Sequence, residues 1–174
     1  ITFGATTWTS GKASIQISTN TNYYIEYQVN GTSGSWTKAT TAGTSITVQN
    51  LNHNDIVYAR LTDGTSSGNY ANVTIVDTIP PEAFTAKASN ASETSIKIKG
   101  TAIDNQSGIK DYSYYVKTSS GTVVNKKEHT TDASWEVTGL TNGTEYIVYV
   151  IAYDNAGNET KSAEKKITVK KPLN

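Results

Sequence analysis

Hydrophobic and polar residues alternate over short stretches along most of this chain, and residues that favour turns separate the stretches. In the segment IEYQV, Ile25, Tyr27 and Val29 share one face, and the two polar residues share the other. An alternation of period two is typical of a β-strand with one buried face. About seven such segments occupy residues 1–76, and no window has the period of a helix. The pattern predicts an all-β chain of antiparallel β-sandwiches.

The pattern is repeated in the second half of the chain. Residues 139–158, GLTNGTEYIVYVIAYDNAGN, predict a turn, a long central strand and a second turn, and residues 51–69 are a weaker copy. Two consecutive prolines in DTIPP predict a short, stiff, extended connector, because proline fixes φ and donates no backbone hydrogen bond. We therefore expect one sandwich over residues 1–76, a linker over 77–81, a second sandwich over 82–170, and the start of a tail or further linker over 171–174.

The repeated segment carries a family resemblance. Residues 139–158 resemble the E–F corner, F strand and F–G loop of a bacterial fibronectin type III-like domain. The resemblance implies that Leu140 is the corner leucine and that the hydroxyl of Tyr146 caps the corner backbone. The tryptophan found in the core of animal members would fall near Gly100, so we expect Trp135 to supply the missing volume.

The first half departs from this family at the corner, where Asp55 stands in the tyrosine position. Its segments WTSGKASIQI and IEYQVNGTSGSW are similar to bacterial Ig-like modules of surface proteins, modular exoenzymes and phage tail proteins. The fold class predicted is thus two antiparallel Ig-like or fibronectin type III-like β-sandwiches in tandem. The resemblance implies a non-catalytic spacer in a larger extracellular, bacterial cell-surface or virion protein, with flanking domains of the same polypeptide as its partners. The alternatives are an adhesin or module that binds a protein or glycan ligand, and a phage tail structural or decoration domain.

Composition narrows the partners. The formal net charge is zero, so no basic field is available to attract nucleic acid or anionic lipid. Cysteine is absent, which excludes disulfides and thiolate metal sites, and no apolar run is long enough to predict membrane insertion. The sequence starts at Ile1 and contains no methionine, so we expect it to be a piece of a longer polypeptide.

Catalytic constellations are not evident in the sequence. The two histidines, His53 and His129, fall in different predicted domains, and neither has a serine or threonine nucleophile in a triad pattern. The carboxylates are scattered, with no pair flanking a predicted cleft. We do not expect an enzyme, and the predicted fold requires no cofactor.

Acidic loops suggest a metal site. In a fibronectin-like sandwich the B–C and F–G loops lie at the pole of the N-terminus, which would bring Asp104 and Asp154 towards Asp77. Carboxylates with loop carbonyls are the hard oxygen ligands that Ca²⁺ takes, so an interdomain calcium site at these three residues is one prediction. The alternative is that these side chains cap turns.

The strand predicted within residues 139–158 is apolar on both faces. If Val148 and Val150 face the core, the opposite face carries a stripe that the neighbouring strand would extend, and such a stripe tends to mark a contact surface. Its members are Tyr115, Ile147, Tyr149, Ile151 and Tyr153. The alternative is that these residues are good strand formers covered by long neighbours such as Lys117.

Two tryptophans in the first half are candidates for sugar stacking. Trp8 and Trp36, if exposed, could stack on a sugar ring, whereas a tryptophan at such strand positions otherwise covers the edge of the core.

Overall fold

The computed structural model describes residues 1–173, which form antiparallel β-sheets and contain no helix. They divide into two compact units, Ile1–Thr78 with Asn105–Ser107, and Ile79–Asp104 with the remainder of the chain. No helix able to span a membrane is found in this part of the chain. The all-β prediction of tandem sandwiches is confirmed, and the exact linker bounds stay a prediction.

Unit 1 consists of two sheets with separate strand orders. Its strands are β1 Thr2–Phe3, β2 Thr7–Thr9, β3 Lys12–Ser18, β4 Tyr24–Val29, β5 Thr37–Lys38, β6 Ile46–Leu51, β7 Ile56–Thr62 and β8 Ala71–Thr74. In the first sheet β3 pairs with β1, β2 and β6, and the second sheet has the order β5-β4-β7-β8. Trp36 immediately precedes the short strand β5, which begins at Thr37.

The core of unit 1 joins the inner faces of both sheets. Ile15 and Ile17 of β3 are buried against Ile25 of β4 and Val57 of β7, as the alternation predicted. Two further residues of β6, Val48 and Leu51, also face this core although their spacing is odd. The register of β6 against β3 shifts there, and Asn50 takes a positive φ of 61°, so the extra residue forms an irregularity that returns the strand to the core face.

Asp55 stabilises the corner that precedes β7. Its Oδ2 accepts a 2.6 Å hydrogen bond from the backbone N–H of Asn52, and its Oδ1 accepts one of 2.8 Å from Nδ2 of Asn30. Burial acts to raise the pKa of Asp55, but the hydrogen bonds from Asn30 and Asn52 outweigh it, so the pKa lies below its ordinary value. The carboxylate therefore caps the turn, as residue types at such positions commonly do.

Unit 2 also consists of two sheets. Its strands are β9 Lys87–Ser92, β10 Ser95–Lys99, β11 Ile109–Thr118, β12 Val123–Thr130, β13 Ser134–Val137, β14 Glu145–Asp154, β15 Glu159–Lys161 and β16 Lys165–Thr168. The smaller sheet has the order β13-β10-β9, and the larger has the order β12-β11-β14-β15, with β16 also pairing with β14. The ten-residue strands β11 and β14 are the longest in the chain and form the centre of the larger sheet.

Tyrosine, more than tryptophan, fills the core of unit 2. Tyr114 is its largest fully buried side chain, and Trp135 packs against it with 6.3 Å between ring centroids. The Tyr114 hydroxyl donates to the carbonyl of Asp132, and burial raises the pKa of Tyr114 to about 12. At Gly100 there is no room for a side chain, because a Cβ would lie 2.7 Å from Cγ1 of Val150. Trp135 is thus only one contributor to the volume expected of it.

Tyr146 stabilises the corresponding corner of unit 2. It is buried at the start of β14, and its hydroxyl oxygen accepts a 3.2 Å hydrogen bond from the backbone N–H of Thr141. Leu140 is buried beside it in the core. The cap expected of Tyr146 is confirmed, and the two units satisfy equivalent corners with a phenol and a carboxylate respectively.

Candidate functional site

The predicted contact stripe lies on one face of the larger sheet of unit 2. Along β14 the residues facing the core, Val148, Val150 and Ala152, are fully buried, while the alternate residues are partly exposed. β11 pairs with β14 so that Tyr115 stands directly opposite Tyr149. The structure therefore brings the stripe residues together on the outer face: Tyr115, Ile147, Tyr149, Ile151 and Tyr153.

Tyr149, at the centre of the stripe, is covered by neighbours in its own unit. Its ring stacks on Tyr115 with 4.7 Å between centroids and 8° between planes. The ammonium of Lys161 lies 4.1 Å from the ring centroid, that of Lys117 lies 5.4 Å away, and both lysines pair with Glu164. Such cation–π contacts and stacking occupy ring faces that a partner would need. The covering by long neighbours is present, and a contact role for the stripe stays a prediction.

Tyr115, beside the centre of the stripe, makes a polar contact with the adjacent strand. Its hydroxyl donates a 2.7 Å hydrogen bond to Oε1 of Glu128, which also pairs with Lys126. Burial, followed by the bond to the Glu128 carboxylate, raises the pKa of Tyr115 well above its ordinary value. The phenol is therefore a neutral donor at any physiological pH.

His129 lies at the end of the stripe that Tyr153 forms. Its ring is 4.6 Å from that of Tyr153, and its Nδ1 is 3.2 Å from Oδ1 of the buried Asp111. The backbone N–H of His129 donates a 3.0 Å hydrogen bond to the hydroxyl oxygen of the fully buried Ser113. His53 accepts a hydrogen bond from the backbone of Asp77. The His53 ring thus fixes a backbone segment, while the His129 ring contacts a carboxylate and a phenol ring.

The predicted calcium ligands already accept hydrogen bonds from the chain. In unit 2, Asp154 is fully buried, and its Oδ1 accepts the backbone N–H groups of Ala156 and Asn158. Asp104 accepts the backbone N–H of Gly108, and its carboxylate lies within 4.8 Å of that of Asp154. Asp77 belongs to unit 1, where it is buried. The turn-capping interpretation is met at Asp104 and Asp154, and calcium binding stays a prediction.

The two tryptophans of unit 1 have different environments. Trp8 of β2 is partly buried and packs against the hydrophobic core, so it covers the core edge. Trp36 lies on the outer face of the second sheet, where the guanidinium carbon of Arg60 is 4.1 Å from its ring centroid. The Trp36 ring is also 6.5 Å from that of Tyr70, which in turn meets Tyr58 edge-on at 5.4 Å. Sequence reasoning missed this cluster, although Tyr58 and Arg60 occupy alternate outward positions of β7.

These two antiparallel, Greek-key-like sandwiches with capped corners define a tandem β-sandwich module of the Ig-like class. The model of the fibronectin type III domain matches residues 80–168, just over half of the 174 residues. The chain belongs to the fibronectin type III domain family.

One solved structure supports this assignment at the level of the fold, and a second matches too weakly to bear on it. A two-fibronectin type III-domain segment from chicken tenascin covers 95% of this chain, with 95% of its own length covered, at 13% identity and a TM-score of 0.56. A structure described as a myokine covers 53% of this chain and is itself covered completely, at 16% identity and a TM-score of 0.46. A search of curated protein sequences finds no significant match. The likeness to tenascin concerns the fold alone.

Proposed function

We propose that this chain is a non-catalytic structural module of a larger extracellular or virion protein, in which it holds a neighbouring domain away from an anchor. The observation that carries the proposal is the parallel course of the first and last strands of unit 2. Thr85 forms a parallel bridge with Ala163, and Asn90 of β9 meets Thr168 of β16 at the same offset. The chain therefore enters unit 2 at one end of the sandwich and leaves at the other.

A side chain joins these two strands. Nδ2 of Asn90 donates a 3.1 Å hydrogen bond to the carbonyl of Thr168, and Oδ1 of Asn90 accepts a 3.0 Å hydrogen bond from the backbone N–H of Lys170. The side-chain amide of Asn90 thus makes one donor and one acceptor hydrogen bond to the neighbouring chain segment, as a backbone residue in a β-ladder does. Tension applied through the chain ends would load both bonds along the strands, as a spacer under load requires.

The central strands β11 and β14 set the length of the larger sheet of unit 2. β14 is hydrogen-bonded to β11 on one side and to β15 and β16 on the other, and its inner face is fully buried. At about 3.3 Å per residue, ten residues span roughly 33 Å. A continuous strand of that length, hydrogen-bonded on both sides, supports the spacer role.

Single-molecule stretching of the full chain between protein handles tests the proposal. We expect two resolved unfolding events, and the event for unit 2 should release roughly 300 Å of contour, since about 90 residues extend at up to 3.6 Å each. Asn90→Ala should lower the force of that event, because it removes both bonds. Asn142→Ala in the same unit is the matched control, since its side chain is exposed and makes no hydrogen bond within residues 1–173. Extension without resolved force peaks would contradict the spacer proposal.

A further inference from the structure

The outer face of the second sheet of unit 1 carries an aromatic platform, defined as Trp36, Tyr58 and Tyr70 with Arg60. Tyr58 and Arg60 alternate on β7 with the core residues of that strand and point away from the core. Trp36 and Tyr70 precede β5 and β8, and they reach the same face from the connecting segments. Tyr70 is 51% exposed although it contacts two other rings. Large apolar rings that converge at an exposed site, with no role in the core, are the kind of surface that marks a contact.

Arg60 is held beneath Trp36 in a neutral pair. Its Nε donates to Oε1 of Glu26, which lies opposite on β4 and is 9% exposed, and the hydroxyl of Ser67 donates to the same oxygen. Among residues 1–173, the guanidinium of Arg60 donates a hydrogen bond through Nε only. Its two terminal amino groups therefore remain available as donors. The charge of Arg60 is therefore compensated, while most of its donor capacity is unused.

Gln28 supplies an unused acceptor beside this pair. Its Oε1 is buried and has no hydrogen-bond partner among the described residues, and Gln28 lies directly opposite Tyr58 in the sheet. Gly34 approaches the same amide so closely that a Cβ there would meet its Nε2 at 2.2 Å. An unpaired buried carbonyl oxygen is costly, and a hydroxyl or water that entered beside it would recover a hydrogen bond.

A cleft of about 310 Å³ adjoins the platform at Ser67. It is lined by the half-exposed ring of Tyr23, by the hydroxyl-bearing residues Thr62, Ser66 and Ser67, and by Asp63 with Leu61 and Gly68. The cleft therefore adds a further aromatic ring, hydroxyl groups and one carboxylate to the surface beside the platform.

The ligand that fits must present a flat C–H face together with groups that both donate and accept hydrogen bonds. An anion or nucleic acid would gain little, because Glu26 already neutralises Arg60 and the formal net charge of the chain is zero. An apolar peptide face would leave the Arg60 donors unpaired on burial. We propose that the aromatic platform binds a neutral carbohydrate, with pyranose rings stacked on Tyr70 and on the face of Trp36 that Arg60 does not cover, and with sugar hydroxyls bonded to Arg60. This site does not depend on the spacer role.

Affinity electrophoresis of the full chain tests the site, with hydroxyethylcellulose, xylan, mannan or mixed-linkage β-glucan as the polysaccharide in the gel. We expect at least one of these gels to retard the chain, and Tyr70→Ala and Trp36→Ala each to weaken retardation about two- to tenfold, as the loss of one ring contact would. Tyr149→Ala in unit 2 is the matched control and should migrate like the wild type. Because the site is neutral, 0.5 M salt should leave retardation unchanged.

Tyr70 is exposed, so its variant should retain the wild-type melting temperature within a few degrees, which separates loss of binding from loss of fold. Three results would overturn the proposal: no retardation in any of the four gels, unchanged retardation of both variants, or retardation that salt abolishes.

Discussion

Adding one methyl group at Gly100 should destabilise unit 2, although the backbone there would accept an alanine. Gly100 is buried and does not have a positive φ, so Gly→Ala would ordinarily stabilise by about 0.4–1 kcal/mol through the unfolded chain. However, the new Cβ would lie 2.7 Å from Cγ1 of Val150 and 3.4 Å from Cδ1 of Tyr112. Val150 is fully buried and cannot move freely, so its methyl group and the new one compete for the same space.

The expected magnitude follows from these opposing effects. Overpacking a core by one methyl group costs about 1–3 kcal/mol, which exceeds the gain from the unfolded chain. We expect Gly100→Ala to lower the free energy of unfolding of unit 2 by about 1–2 kcal/mol. Val150→Ala alone should cost about 2–3 kcal/mol through lost burial and a cavity. In the double variant the new methyl group occupies part of that cavity, so the two losses should fall short of additivity by about 1 kcal/mol.

Native-state hydrogen exchange of the β14 amides provides the assay, because it reports the unfolding of unit 2 separately from that of unit 1. Gly31→Ala in unit 1 is the control, followed through exchange of the β4 amides of that unit: no atom outside its chain neighbours lies within 4 Å of its added Cβ and its φ is not positive, so it should be neutral or mildly stabilising. Additive losses in the double variant would refute the steric explanation, as would a stabilising Gly100→Ala.

Three further predictions concern the corners and the stripe. Tyr146→Phe should cost unit 2 about 1 kcal/mol, because the N–H of Thr141 loses its acceptor, and faster exchange of that amide should accompany the loss. The pKa of Asp55 is lowered in the folded state, so the carboxylate stabilises unit 1 above the unfolded pKa of 3.8, and this stabilisation is lost as the pH falls through the folded pKa. In urea titrations the difference in unfolding free energy between wild type and Asp55→Asn should therefore shrink below pH 3.8. A difference that stays constant with pH would contradict this prediction. If the stripe is a contact surface, replacing Tyr149 and Tyr153 with serine should weaken self-association in sedimentation without unfolding the chain, and unchanged association would count against that role.

Strand positions could be predicted from the sequence because the alternation of core-facing and outward-facing residues, with a period of two, is visible in the residue types themselves. The alternation of Val148, Val150 and Ala152 was sufficient to place the inner face of β14. The step from Val48 to Leu51 keeps the same face only because Asn50 adopts a left-handed conformation, which the hydrophobic pattern suggests but cannot specify. The capping role of Tyr146 was predicted from the family resemblance. The equivalent capping role of Asp55 in unit 1 could be recognised only from the hydrogen bonds in the structure.

The platform on unit 1 was less accessible to sequence reasoning. The alternation places Tyr58 and Arg60 on the outer face of β7, but it does not indicate which connecting residues fold over them. Trp36 and Tyr70 are far apart in sequence and outside regular strands, so their convergence on Arg60 depends on loop conformations. The stripe of unit 2 illustrates the opposite case, in which the face was predicted and the lysine cover over Tyr149 was the unforeseen part.

The parallel course of β9 and β16 has a consequence for how such a gene can change. A domain entered at one end and left at the other can be duplicated in tandem without rerouting the polypeptide, because each copy begins where the preceding one stops. The hydrogen bonds that Asn90 makes to Thr168 and Lys170 lie within a single unit, so every duplicated unit would keep its own link between its first and last strands. A tandem duplication would therefore add a whole unit together with its own pair of Asn90 hydrogen bonds.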